Sequence, residues 1–266
     1  MILETHTLVS EQHVDRCLLM LRSLMTHVPV HAFLHDDGSL TATSIARIRA
    51  ELTGVSIVTR DEADLRAADR LAGHPSVHWL RGWNVRCTQL VDYFLWAQQP
   101  RVLAVDSDVL FLREPRELLQ WLSGRPDQGA QFAYSPETGW EAKGVHWLPE
   151  AVPGRPFIPA MCCGFVAVDV AAFFDLDYLE DLIRHTEPQV REQQRFVTQM
   201  YYSLLGGRLP ADRVQSLGEA YRSGRLEWLP DYPDRAICHY FGSHDNLDGV
   251  AEVFRRYPAI RETVGG

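Results

Sequence analysis

The chain has 266 residues, of which 46% are hydrophobic and 23% charged, a composition typical of a folded globular protein and not of a disordered, collagen-like or coiled-coil chain. Its 26 basic and 35 acidic residues give a formal net charge of -9, so no broad positive surface is expected and nucleic acid is not an expected partner. At about 100–200 residues per domain, the length fits one large domain or two small ones that share a core.

The sequence shows no membrane or disulfide signal. No stretch approaches the roughly 18–20 consecutive apolar residues of a membrane span, and the N-terminal segment does not read as a signal peptide, so we expect a cytoplasmic protein. The cysteines are odd in number, scattered and without a CxxC pair, which predicts reduced, mostly buried thiols. They are Cys17, Cys87, Cys162, Cys163 and Cys238.

In the first half of the chain, apolar bursts alternate with amphipathic stretches, the pattern of βαβ units around a mainly parallel sheet. The fold class is therefore predicted to be α/β. The predicted strands are Leu3–Val9, Pro29–Leu34, Val55–Val58 and Val102–Val105. The predicted helices are Val14–Met25, Asp61–Leu71, Asn84–Gln98 and a segment between Pro115 and Leu122.

The second half begins with a segment of different character. From Tyr134 to Pro159, prolines and glycines lie among bulky aromatic residues, which predicts a long loop of the kind that often binds substrate. The elements predicted after it are a strand Gly164–Val168, helices Ala171–His185 and Arg191–Leu205, a strand Arg235–Tyr240 and a helix Val250–Tyr257. No linker divides the chain.

Two carboxylates carry the strongest chemical signal. Asp106 and Asp108 directly follow the apolar strand Val102–Val105 and precede a second apolar run, Val109–Leu112. Paired carboxylates at the carboxyl end of a strand suit Mg²⁺ or Mn²⁺ bound to a diphosphate. Carboxylates flanked by buried sequence also need a partner. The alternative interpretation is an acidic turn that closes the strand.

A late histidine gives the second signal. The segment Ala236–Gly242 predicts a short strand that delivers His239 to a sheet edge, where an imidazole could complete the ligand set of the same ion. Gly242 would let the backbone approach a phosphate closely. Taken alone, a single histidine is more often structural.

Together these residues resemble the GT-A glycosyltransferases, which use nucleotide-sugar donors, and most closely the glycogenin and galactosyltransferase-like group. The resemblance extends over essentially the whole chain. It is carried, in order, by Arg86, Asp106-Ser107-Asp108, Cys162-Cys163-Gly164-Phe165, Glu192-Gln193 and His239-Tyr240-Phe241-Gly242. It implies a Rossmann-like mixed sheet flanked by helices, in one domain with a nucleotide-binding half (about 1–112) and an elaborated acceptor-binding half (about 113–266).

The resemblance also implies roles for residues. Asp106, Asp108 and His239 would hold a Mn²⁺ or Mg²⁺ ion, and Glu192 and Gln193 would lie beside the transferred sugar as catalytic residues. For the last two, a solvated helix start is the alternative. The donor would contact Thr7, Val9, Asp36, Asp37, Arg86, Asp106, Ser107, Cys163, Gly164 and Gly242.

The chain departs from the family pattern at two places. Cys162 stands where the family has an asparagine, and a thiol cannot offer an amide to a sugar hydroxyl. A lysine commonly follows the late histidine motif, whereas this chain has Asp245 there, beside His244. Phosphate binding would then depend on the metal and an arginine.

The acceptor would lie against the long loop, where Trp140, His146, Trp147 and Phe157 could stack on a sugar ring or simply anchor the loop. The resulting hypothesis is metal-dependent transfer of a sugar from a UDP-sugar to the hydroxyl of a glycan, small molecule or protein, with retention of configuration. One alternative is a haloacid-dehalogenase-type phosphatase, whose first motif is also an apolar strand ending in DxD. Another is a nucleotide-sugar-binding protein without turnover.

Overall fold

A seven-stranded mixed sheet organises the computed structural model, which describes residues 2–124, 129–139, 150–192, 196–225, 229, 232–240 and 246–264. The sheet strands are β1 (Leu3–Val9), β2 (Val30–Asp36), β3 (Val55–Val58), β4 (Arg101–Val105), β6 (Phe132–Pro136), β7 (Met161–Asp169) and β8 (Val214–Ser216). A separate two-stranded ribbon pairs β5 (Val109–Phe111) with β9 (Ile237–His239).

Helices cover the sheet. Those of the first half are α1 (Val14–Met25), α2 (Ala42–Glu51), α3 (Arg60–Arg70), α4 (Pro75–Trp83), α5 (Thr88–Trp96) and α6 (Arg116–Ser123). Those of the second half are α7 (Val170–Phe173), α8 (Leu176–Glu192), α9 (Val197–Gly207), α10 (Asn246–Arg256) and α11 (Pro258–Val264). None of these described helices combines the length and apolar character that crossing a bilayer requires.

The strand order is β3-β2-β1-β4-β7-β6-β8, and the direction of the strands changes at β7. Strands β3, β2, β1 and β4 are parallel, whereas β7 pairs antiparallel with both β4 and β6. Val105 at the end of β4 lies opposite Phe165 in the middle of β7, so the first four residues of β7 extend past the end of β4. This arrangement brings the first residues of β7 to the carboxyl edge of the parallel strands, the edge where ligands bind in open α/β sheets.

The core lies on both faces of the sheet. In β4, Leu103 and Val105 pack into the cluster that contains α1, while Val102 and Ala104 pack into the cluster that contains α5 and α9. Because both faces are covered, the strand reads as an unbroken apolar run. Burial of each large apolar side chain contributes about 1.5–3 kcal/mol.

The α/β class and the mixed sheet of the predicted fold are confirmed. Strands Leu3–Val9 and Val55–Val58 and helix Val14–Met25 agree with the predicted bounds. Elements β5, β6 and α11 were not predicted, nor were α2, α4 and β8. The prolines and small polar residues at their ends resemble loop sequence, but Pro75 occupies the first turn of α4, where a missing N–H costs nothing.

Other boundaries are corrected. The predicted helix Asn84–Gln98 is a 3₁₀ turn, Val85–Cys87, followed by α5, because the Asn84 side chain accepts a hydrogen bond from the Arg86 N–H at 3.0 Å and starts the chain on that turn. The predicted loop Tyr134–Pro159 begins inside β6, since Tyr134 to Pro136 pair with β7. Its centre, residues 140–149, lies outside the described residues.

In the second half of the chain, the observed helix boundaries also differ from the predicted ones. The first predicted helix after the loop, Ala171–His185, is two elements, α7 and α8, and α8 continues through Pro188 to Glu192. The predicted helix Arg191–Leu205 therefore starts later, at Val197. The terminal helix is also longer than predicted, and a second helix, α11, follows it.

A buried row of hydrogen bonds crosses β1 and β2. The Nε2 atom of His6 lies 3.0 Å from Glu4 Oε1, and its Nδ1 atom lies 3.0 Å from His35 Nε2. Since the carboxylate only accepts, His6 donates from Nε2, and its Nδ1 then accepts from His35. Burial lowers the pKa of His6 and holds the pKa of His35 well below its usual value, so both imidazoles are neutral.

This arrangement predicts an acid-sensitive stability. Below about pH 6.5 the unfolded chain binds a proton at His35 and the folded chain does not, so the free energy of unfolding falls by about 1.4 kcal/mol per pH unit, and His6 adds to the fall in the same direction. The variant His35→Gln keeps a donor to His6. We expect it to reduce the slope of unfolding free energy against pH by the contribution of about one proton. Urea unfolding between pH 7.5 and 5.5 measures this; equal slopes in wild type and variant would contradict it. His78→Gln, at an exposed histidine, is the control.

Candidate metal centre

Two turns deliver the three candidate metal ligands. Strand β4 ends at Val105, and the turn Asp106-Ser107-Asp108 connects it to β5. Strand β9 pairs antiparallel with β5 so that His239 lies opposite Val109, and the Tyr240 N–H donates to the Asp108 carbonyl oxygen at 3.1 Å. The ribbon thus brings a residue 131 positions away in sequence to the acidic turn.

The three side chains converge. One ligand atom from each of Asp106, Asp108 and His239 lies within 4.8 Å of the others. His239 Nε2 is 3.1 Å from Asp108 Oδ1 and 3.8 Å from Asp106 Oδ2. The exposed fraction rises from 3% at His239 to 14% at Asp108 and 31% at Asp106, so the cluster opens to solvent on the Asp106 side.

Gly164 makes this convergence possible. A Cβ atom at this position would lie 2.4 Å from His239 Cε1 and 2.6 Å from Asp106 Oδ2, closer than any real contact. The Gly164 carbonyl oxygen accepts from the Asp106 N–H at 2.9 Å, so the backbone cannot move away without loss of that bond. The Gly164 backbone therefore packs directly against Asp106 and His239 of the candidate metal centre.

The electrostatics match a cation site. Burial and the charge of Asp108 raise the pKa of Asp106. Burial opposes ionisation of Asp108 as well, but the His239 imidazole beside it lowers its pKa to about 2. Burial likewise opposes the charge on His239, and Asp108 and Cys162 overcome it and raise the pKa well above its usual value. Asp108 therefore remains ionised, with the positive charges of His239 and Arg16 beside it.

The donor set fits a divalent ion. Carboxylate oxygens suit Mg²⁺ and Mn²⁺, and a neutral imidazole nitrogen is a common ligand of transition metals. Within the described part of the chain, no other group of three such side chains comes as close together.

Two residues that sequence reasoning missed support the aspartates. Gln89 Nε2 donates to Asp106 Oδ1 at 3.0 Å, and the Tyr202 hydroxyl donates to the Gln89 carbonyl oxygen at 3.0 Å. Arg16 of α1 places its guanidinium 3.8 Å from Asp108 Oδ2. Gln89 follows Arg86 by three residues, but nothing in the sequence marks it as a site residue.

Comparison with known proteins identifies the fold. No family model and no curated protein matches the sequence. Among solved structures, the galactosyltransferase LgtC in complex with donor and acceptor sugar analogs has a TM-score of 0.63 at 13% identity, over 99% of this chain and 95% of that chain. An active-site mutant of LgtC gives 0.65 at 12% identity over 98% and 96%, and mouse xyloside xylosyltransferase 1 gives 0.62 at 11% over 92% and 98%. The chain has the GT-A glycosyltransferase fold.

In this GT-A fold, Asp106-Ser107-Asp108 has the position and spacing of a DxD motif, and Ser107 is buried between the two aspartates. Arg86 is exposed, and its carbonyl oxygen accepts from Thr198 Oγ1 at 3.3 Å. Burial and the charges of Arg16 and Arg86 lower the pKa of His13, while Asp108 and Asp37 oppose them. His13 was not among the residues that the sequence singled out.

Four residues predicted to contact the nucleotide-sugar donor lie at the ends of β1 and β2. The Thr7 hydroxyl is buried and makes no hydrogen bond with a described residue. The Val9 side chain is in the core, so only its backbone is at the edge, where its carbonyl oxygen accepts from the Asp37 N–H at 3.1 Å. One oxygen of Asp36 accepts from the N–H groups of Gly38 and Leu40. Two residues, Asp36 and Asp37, thus shape the turn after β2.

The structure describes two of the remaining candidate site residues. Cys163 is half-buried in β7, and Glu192 is exposed at the last position of α8. The candidates outside the described residues are Gln193, Gly242, Trp140, His146 and Trp147.

The close contact at Gly164 yields a direct test. We expect Gly164→Ala to separate Asp106 from His239 and to weaken Mn²⁺ binding by about 10-fold or more, because even indirect disturbance of metal ligands has effects of that size. Titration followed by the electron paramagnetic resonance signal of free Mn²⁺ measures it. Gly82→Ala in α4, where nothing lies within 4 Å of the new methyl group, should bind Mn²⁺ like wild type. Unchanged Mn²⁺ affinity in Gly164→Ala would contradict the assignment.

Proposed function

We propose that the protein is a metal-dependent glycosyltransferase that moves a sugar from a UDP-sugar to the hydroxyl group of an acceptor, with retention of configuration. The observation that carries this proposal is the convergence of Asp106, Asp108 and His239 within 4.8 Å at the carboxyl edge of a GT-A sheet. The resemblance of the motifs around Asp106 and His239 to those of the glycogenin-like group supports UDP and retention.

The diphosphate end of the donor would lie at the metal centre. Asp106, Asp108 and His239 would hold Mn²⁺ or Mg²⁺, and such an ion stabilises negative charge on a departing diphosphate. The chain has one lysine, Lys143, so arginines are the natural further cations. Arg86 is exposed at the same edge and offers several donors for phosphate oxygens.

The nucleoside would lie over the ends of β1 and β2. Thr7 has a buried hydroxyl without a hydrogen-bond partner among the described residues, and Asp37 directly follows the last residue of β2. Ser10 Oγ lies 2.7 Å from His13 Nδ1, which fixes the imidazole beside this edge. These groups supply polar partners for a base and a ribose, in the half of the chain that we assign to nucleotide binding, about 1–112.

The sugar would lie between the metal centre and the end of α8. Glu192 is exposed there, and Gln193 follows it in sequence. Phe196, three residues after Gln193, has φ 61°. This conformation is strained for a non-glycine residue and occurs often at functional sites. We assign Glu192 and Gln193 to the transfer step, without a covalent intermediate. The acceptor would contact Trp140, His146 and Trp147, in the half of the chain from about 113 to 266.

The same observations weigh against a phosphatase of the haloacid-dehalogenase type. His239 shares the acidic site, and the matched solved structures named above are glycosyltransferases. Donor binding without turnover is distinguished from transfer by experiment.

Calorimetric titration with UDP and GDP, each with and without Mn²⁺, tests the donor site. We expect Mn²⁺ to increase UDP affinity in wild type, and Asp108→Asn to reduce that gain by at least about 10-fold because a metal ligand is lost. Asp69→Asn, at an exposed aspartate of α3, is the matched control and should behave like wild type. If neither nucleotide binds under any condition, the proposed function is wrong; tighter binding of GDP than UDP would contradict the choice of base.

A second prediction separates an enzyme from a binding protein. UDP-glucose, UDP-galactose and UDP-xylose are incubated with Mn²⁺ and water as the acceptor, and UDP release is measured. We expect Glu192→Gln to lower kcat by about 100-fold, the effect of losing one group that stabilises the transition state, with Mn²⁺-dependent UDP affinity unchanged. Glu187→Gln, one and a half turns earlier in α8, should retain kcat. UDP binding without release from any donor would identify a non-catalytic binder.

A further inference from the structure

His239 has a different partner at each ring nitrogen. Its Nε2 atom is 3.1 Å from Asp108 Oδ1 and faces the metal centre. Its Nδ1 atom is 3.4 Å from Cys162 Sγ, which is within hydrogen-bond distance for sulfur. The thiol that departs from the family's asparagine therefore contacts the histidine of the metal centre.

The tautomer of the imidazole depends on this second contact. A neutral imidazole has one protonated nitrogen and one with a free lone pair. To bind a cation through Nε2, His239 must carry its hydrogen on Nδ1, and that N–H then needs an acceptor. The sulfur of Cys162 is a weak acceptor in the required position.

The contact between the sulfur and the ring is buried, since Cys162 is 2% exposed and His239 3% exposed. A buried N–H without an acceptor costs about 1–3 kcal/mol. Loss of the sulfur therefore favours the other tautomer or a turned ring, and in both cases Nε2 binds a cation less well.

The backbone of β7 fixes the geometry of the contact. Its pairing with β6 shifts from Tyr134 opposite Val166 to Ser135 opposite Cys162, a bulge of the kind that turns side chains toward a site. Gly164 then lies under the His239 Cε1 atom, the carbon between the two nitrogens, where a Cβ would be 2.4 Å away. The ring rests on Gly164, and its Nδ1 edge is directed at Cys162.

We propose that Cys162 is a positioning residue, which holds the His239 ring so that Nε2 is presented to the divalent cation. This inference rests on the metal site of the proposed function, but it concerns the protein alone and requires no sugar or nucleotide. It gives Cys162 a role in ion binding in place of the contact with a sugar hydroxyl that an asparagine could make.

Mn²⁺ affinity without nucleotide is the first measurement. We expect Cys162→Ala to bind Mn²⁺ about 10-fold more weakly than wild type, the usual effect of removing the partner of a metal-binding histidine. Cys162→Ser should restore affinity, since a hydroxyl oxygen also accepts an N–H. The matched control is Cys238→Ala, which removes another buried thiol, next to His239 in sequence but packed in the separate cluster with Leu110 and Val253.

A spectroscopic measurement reports the ring directly. In ¹⁵N-labelled, Mg²⁺-saturated wild type, long-range ¹H–¹⁵N correlation spectra should show His239 protonated at Nδ1 and unprotonated at Nε2. His239→Gln identifies its signals by their absence. We expect Cys162→Ala to lose this pattern in part or completely, and Cys162→Ser and Cys238→Ala to retain it.

Two results would overturn the inference: a Cys162→Ala variant with wild-type Mn²⁺ affinity and an unchanged His239 tautomer, or equal losses in Cys162→Ala and Cys238→Ala, which would show a general effect on packing. Failure of the transferase proposal looks different. A protein that binds Mn²⁺ in a Cys162-dependent manner but does not bind UDP supports the inference while it removes the proposed function.

Discussion

The contact of the Gly164 backbone with Asp106 and His239 is the constraint on which the candidate site depends. It exists because β7 runs antiparallel to β4, so its first residues lie at the carboxyl edge that the parallel strands share. A side chain at this position would occupy the space where the carboxylate and the imidazole meet. The sheet topology and one missing Cβ together bring residues from distant parts of the sequence to a single point.

The site also depends on how the charge of its two carboxylates is compensated. Asp106 and Asp108 are close to each other and partly removed from water, which is costly unless positive charge and hydrogen bonds compensate. Gln89 from α5 and Arg16 from α1 provide part of that compensation. The two helices that pack on opposite faces of the sheet thus each contribute one polar group at the same edge, and the paired carboxylates with His239 form a donor set that suits a divalent cation.

The sequence predicted the elements whose signal is local. Strand β4 and the acidic turn after it were predictable, because a strand covered on both faces is continuously apolar and a carboxylate pair interrupts it. His239 was predictable as a strand end. By contrast, Gln89 and Arg16 look like ordinary helix residues, since their importance arises only from the packing of α5 and α1 against the sheet. Helices α2 and α4 were also not predictable from the sequence, because caps and tertiary contacts set their limits.

Cys162 shows why a departure from a family pattern needs the structure to be understood. From sequence alone, the exchange of an amide for a thiol looks like the loss of a contact with the sugar. In the fold, the thiol lies behind His239, buried from the solvent that a donor would occupy. Its effect on a donor would therefore act through the ion. Under the proposed function, selectivity for the sugar would come from groups on the open side of the site, where Asp106 is the most exposed of the three candidate ligands.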